Sequence, residues 1–198
     1  MLTGLHAGSY GRFQLGSGLF LTGLDPDSAP DAKTLRAHIA DAVADGSGVL
    51  GVTRGGGSFR CVPWLRSLGD GAGRTPVRGG VINDGWTVMM TGTLLELTPG
   101  NAARMLAMSV TERRGGVTVV TARNDTEVTD YEPRLCWVGS LVSGLVLIEL
   151  SNVLNMNGAS FTFGEQSEGA LAFEFRAHAE DDGGEAPFRM LFFEEENE

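Results

Sequence analysis

Residues 81–97 read VINDGWTVMMTGTLLEL. Trp86, Val88, Met90 and Leu94 fall on one face of an extended chain, while Thr87, Thr91 and Thr93 fall on the other with Met89. Successive side chains of a strand point to opposite faces, so this alternation predicts a strand half-buried in a sheet. Residues 170–177 repeat the pattern, with Leu171, Phe173 and Phe175 on one side and Glu174 and Arg176 on the other. Further strands are predicted at 58–62, 117–122, 135–140 and 144–150, around Phe161 and Phe163, and at 188–193. The 29 glycines follow no strict period and fall between short apolar runs, which implies many turns and a mainly β fold.

Two segments break the pattern. Leu35, Ile39, Ala42 and Val43 recur at helical spacing between Asp31 and Asp45, opposite Lys33, Arg36 and Asp41, and Gly46 supplies a stop. The preceding DPDSAPD (25–31) reads as a turn into that helix. Thr98 and Pro99 then suit the start of a short second helix carrying Ala102, Met105 and Leu106. In residues 12–24, Phe13, Leu15, Leu19 and Leu21 alternate around Gly16–Gly18, which predicts a short hairpin. WLRSLGDGAGRTPVRGG (64–80) has no period and reads as an extended loop. With an acidic tail at 194–198 and no internal repeat, residues 1–198 are expected to form one domain.

Composition removes several function classes. With 42% hydrophobic and 20% charged residues, the chain can bury a core. The formal net charge of −10 opposes tight binding to nucleic acid. Two cysteines, Cys61 and Cys136, suggest neither a disulfide framework nor a zinc site. Residues 1–24 lack a continuous apolar stretch, and the longest apolar run, 141–150, is too short to span a bilayer. A soluble protein made in the cytoplasm is the expectation.

Catalytic signatures are missing from the sequence: there is no nucleophile elbow, P-loop, H-E-x-x-H or C-x-x-C. His6, His38 and His178 lack metal-ligand spacing, and GDGAG (69–73) lacks the third glycine of a dinucleotide fingerprint. Glu149 and Glu174 each interrupt an apolar or alternating run and could form a carboxylate pair, but no aromatic sugar platform accompanies them in sequence. The expectation is a non-enzyme with no cofactor or metal.

Three stretches together carry a family resemblance. TGTLLELTPGNAARMLA (91–107) is similar to the strand–TP–short-helix passage of phage tail tube (major tail) proteins, including the tubes of phage-tail-like bacteriocins. GLVLIELSNVLNMNGASFTFGEQSEGALAFEFRAHAEDD (144–182) resembles their long C-terminal hairpin, through Glu168, Gly169, Leu171, Phe173, Phe175 and His178. APFRMLFF (186–193) looks like the closing strand. The resemblance covers roughly residues 80–193.

It implies a β-sandwich or barrel-like tail tube fold with a flanking α-helix and a long loop. It further implies a structural subunit of the virion tail that forms stacked, hexameric rings around a DNA channel. The implied partners are other copies of the chain, a tape measure protein, a sheath protein where one is present, and DNA only in transit, with no membrane. On this basis Thr87, Thr91, Thr93, Glu149, Glu174 and Arg176 are lumen-facing candidates. Trp64, Leu65, Arg66, Leu68, Arg74 and Arg78 are inter-ring candidates on the loop. A monomeric ligand-binding β-barrel and an enzyme built on a β-sandwich are the rival expectations.

Overall fold

The computed structural model describes residues 9–46, 48–68, 78–165, 167–180 and 186–195. In chain order the regular elements are β1 (Gln14–Thr22), α1 (Ala32–Asp45), β2 (Thr53–Ser67), β3 (Val81–Leu94), α2 (Pro99–Leu106), β4 (Ser109–Arg114) and β5 (Val117–Ala122). They continue with β6 (Glu132–Leu141), β7 (Gly144–Asn155), β8 (Ser160–Gly164), β9 (Ser167–Arg176) and β10 (Phe188–Glu194). The chain is mainly β, sandwich- or barrel-like, and all strand pairs are antiparallel.

One layer runs β1-β6-β7-β10 and the other runs β2-β3-β9-β8. β7 joins them, because its last residues, Leu154 and Asn155, pair with Arg176 and Phe175 of β9. Between the layers lies the main core. Phe20, Leu135, Ile148 and Leu150 come from the first layer, and Val88, Met90, Leu94, Leu171, Phe173 and Phe175 from the second. Phe20 meets Phe173 edge-on at 5.3 Å. The alternation read from residues 81–97 and 170–177 is therefore the division between core and outer face.

α1 covers the other side of the first layer. Leu35, with Ile39 and Ala42 behind it, packs on Leu21, Cys136, Val138, Leu145 and Leu147. Asp31 caps the helix by accepting from the Thr34 N–H at 2.7 Å, and Gly46 closes it at φ +70°. Val43 departs from the predicted stripe and is exposed. Thr98 caps α2 through the Asn101 N–H, with Pro99 in the first helical position.

Two sequence expectations are corrected. Residues 12–24 form no hairpin: β1 is a single strand paired to β6, with a bulge between Leu15 and Leu19. Gly16 and Gly18, at φ +77° and +72°, supply left-handed residues to a bulge rather than to a turn. The Trp137 indole lies directly on Gly18 and donates to the Ser17 carbonyl at 3.1 Å. The segment 64–80 is likewise not loop throughout. Residues 64–67 belong to β2, and the Leu68 N–H donates to the Gly80 carbonyl at 2.8 Å, extending the hairpin. Of that segment, residues 69–77 lie outside the described residues.

β2 carries a matching bulge between Thr53 and Gly57, with Gly55 and Gly56 at φ +71° and +75°. The two bulges meet, and a Cβ on Gly56 would stand 3.3 Å from Ser17. The free edges of β1 and β2 thus approach each other and close one side of the sandwich.

Candidate assembly surface

The outer face of the second layer gathers most of the proposed lumen residues. Register places Thr91 beside Glu174, Thr93 beside Ala172 and Met89 beside Arg176. On the other flank Ser58 faces Thr91, with the two hydroxyls 2.7 Å apart. Trp64 shares this face, and its indole N–H donates to Thr87 Oγ1 at 2.7 Å. The ring covers Gly85, where a Cβ would approach Trp64 to 2.8 Å. Thr87, Thr91, Thr93, Glu174 and Arg176 therefore occupy one continuous strip.

Glu149 does not join them. It is 4% exposed and lies on the α1 side of the first layer, beside Cys136. An unpaired buried carboxylate would be strongly disfavoured; here the Arg134 guanidinium meets it at 2.7 Å and Arg189 also donates to it. Arg189 in turn makes a two-pronged contact with Asp27 at 2.9 and 2.7 Å, and Arg134 meets Asp25 at 2.7 Å. Glu149 thus anchors a network tying β6, β7 and β10 to the turn at residues 25–28. Its separation from Glu174, which faces outward on the second layer, also leaves the two carboxylates unable to act across a shared cleft.

The inter-ring candidates form an arm. Beyond Trp86 the β2–β3 pair continues with both sides exposed, and Trp64, Leu65 and Leu68 are 56%, 63% and 52% exposed. Val81 and Ile82 on the returning strand are also exposed. Arg66 grips Asp84 at 2.7 and 3.0 Å, and that guanidinium holds the Asp84 carboxyl below its usual range. Arg78 is exposed, and Arg74 lies outside the described residues. A two-stranded ribbon is at best marginally stable alone; here packing of Trp64 on Gly85 and the Arg66–Asp84 pair stiffen it.

Arg60 was missed from sequence, although it follows the same alternation: Ser58, Arg60, Val62 and Trp64 take one face of β2 while Phe59 and Cys61 pack against the main core. Ending the predicted strand at Val62 hid that continuity. Glu194, assigned to the acidic tail, is the last residue of β10, and Glu195 pairs with Arg36 at 2.6 Å. The remaining tail residues, 196–198, lie outside the described residues.

Among the described residues no group of three or more His, Cys, Asp or Glu is placed to hold a metal ion. His178 contacts the Asn152 carbonyl at 3.1 Å and stacks edge-on with Tyr131, His38 sits 3.4 Å from Ser28, and His6 lies outside the described residues. No described helix is long and apolar enough to cross a membrane. No protein-family model and no curated protein matches the chain.

Proposed function

We propose that this chain is a structural subunit that assembles with copies of itself into stacked rings, as a tail tube does. The observation that carries this reading is the β2–β3 arm, which presents Trp64, Leu65, Leu68, Val81 and Ile82 to solvent beside a polar strip on the same sheet. Ordered apolar side chains on a projecting ribbon gain free energy only when another surface covers them. Heterologous contact between such an arm and a different patch of the next copy generates rings or filaments. In this reading the strip of Thr87, Thr91, Thr93, Glu174 and Arg176 lines the channel, and DNA and a tape measure protein pass along it. Residence in a virion tail follows from the same proposal.

A monomeric ligand-binding barrel has less support. Side chains fill the space between the layers, and the cavity left there, near Phe20, Phe59, Met90 and Trp137, measures about 180 Å³. Ligand pockets usually span roughly 300–1,000 Å³. Negative-stain microscopy of the concentrated, metal-free protein tests the proposal. Rings or hollow tubes support it; well-folded single particles across salt and concentration, with tail particles lacking the protein, refute it.

A further inference from the structure

We propose that Arg60 and Arg176, aligned across Met89 on the outer face of the second layer, form a phosphate-contact row for a polynucleotide. The proposal rests on the reading of that face as a channel wall and names what touches the passing strand.

The row follows from register: Arg60 pairs with Met89 and Met89 with Arg176, so the three side chains stand abreast on three neighbouring strands. With strands about 4.8 Å apart, the two arginines are separated by roughly 10 Å. Both are under-used within the chain. Among the described residues Arg60 has no hydrogen-bond or ion-pair partner, whereas Arg54 and Arg66 on the same strand meet carboxylates at 2.9 and 2.7 Å. Arg176 reaches Glu174 only at 3.5 Å, and although its Nε is buried its side chain is 39% exposed. Unmet guanidinium donors are an incentive to bind an external oxyanion.

The charge of the face differs from that of the molecule. Arg60 and Arg176 against Glu174 leave this row and its neighbours at +1, while the chain as a whole carries −10. The Arg54–Glu168 and Arg66–Asp84 pairs cancel internally. Hydroxyls of Ser58 and Thr91 flank the row on one side, and on the other Trp64 offers an exposed ring held by Thr87. Arginines, hydroxyls and one aromatic platform contact backbone phosphates and base faces without reading sequence. Two phosphate contacts on an otherwise acidic molecule give weak, salt-sensitive association, which suits a polymer that must slide.

The test is fluorescence anisotropy of a labelled oligothymidylate titrated with the full chain from about 20 to 200 mM salt. Wild type should bind weakly, with log K falling against log salt at a slope of roughly −1.4 for two single-strand contacts. Arg60→Gln, at an exposed position, should retain the fold and lower that slope by roughly 0.7, and Arg176→Gln should do the same. Arg113→Gln with Arg114→Gln, on the separate β4–β5 hairpin, should change nothing. No wild-type binding at the lowest salt, an Arg60→Gln titration matching wild type, or an equal loss in the hairpin variant overturns the row. Sedimentation of the same samples separates the two claims. A protein that stays monomeric yet loses binding with Arg60→Gln keeps the row and drops the tube. Tubes that bind identically after Arg60→Gln keep the tube and drop the row.

Discussion

The Glu149 carboxylate and the Arg189 guanidinium meet across β7 and β10, although Glu149 is only 4% exposed. β10 has no fully buried residue; Phe188 packs against the main core and Leu191 and Phe193 against the α1-side cluster, and this contact and the Arg189–Asp27 pair add charged fastenings to the ladder with β7. Glu149→Gln should cost about 2–3 kcal/mol, because it removes the buried anion between two guanidinium groups and leaves Arg134 and Arg189 only their exposed partners, Asp25 and Asp27. Urea unfolding measures this. Hydrogen bonding to Arg189 also holds the Asp27 carboxyl below its ordinary value of 3.8. A lowered folded value means its stabilisation is present above that pH and disappears as pH falls through the folded value. Asp27→Asn should therefore flatten the loss of stability below about pH 4.

Gly16 and Gly18 share a left-handed backbone but not a neighbourhood. Nothing lies within 4 Å of a Cβ at Gly16, whereas one at Gly18 would stand 2.3 Å from Trp137 Nε1. Gly16→Ala should cost about 1–2 kcal/mol for conformation alone. Gly18→Ala adds displacement of the indole and its hydrogen bond to Ser17, and should cost about 1–3 kcal/mol more. Thermal unfolding and near-UV circular dichroism of the pair separate the two effects.

Burial lifts the Cys136 thiol to about 12 from an ordinary value near 9.0, helped by the Glu149 charge. Cys61, half-buried in β2, is raised less far by the same cause. In native protein at about pH 8, a thiol reagent should modify Cys61 slowly and Cys136 only after unfolding. Because the folded state holds the Cys136 proton more tightly, stability should fall as pH rises from about 9 towards 12. Cys136→Ser should remove that alkaline slope.

Trp64→Ser with Leu65→Ser removes two exposed apolar side chains from the arm and no buried one. The monomer fold should survive, with urea midpoints changed little, while assembly is lost. Thr98→Ala provides the contrast: loss of the α2 cap should cost about 1 kcal/mol of stability and leave assembly intact. Assembly by the arm variant at wild-type concentrations would remove the arm from the contact.

The sandwich was legible where one face of a strand is buried and the other wet, as at Trp86–Leu94 and Leu171–Arg176, because side-chain alternation is then fixed by solvent. Both helices were legible from their caps, Asp31 and Gly46, Thr98 and Pro99. Glycine was misread at Gly16–Gly18, which carry the same residue signal whether glycine makes a turn, a bulge or a seat for an indole, and only the partner strand decides. Residues 64–67 were read as loop because both sides of the ribbon are exposed there and no alternation marks the strand. Glu149 was misplaced because its cations, Arg134 and Arg189, lie on other strands, and pairing at that range leaves no local mark. β4 was missed for a simpler reason: its residues SVTERR are almost all exposed, so no alternation arises.

Sedimentation velocity over a concentration series, on the 198-residue chain without added metal, bears most directly on self-assembly. A self-assembling subunit should show a concentration-dependent shift from a species near 20.9 kDa to discrete multiples and then to much larger particles. The shift should be abolished by Trp64→Ser with Leu65→Ser. A single 20.9 kDa species at every concentration, from protein shown to be folded, would contradict it.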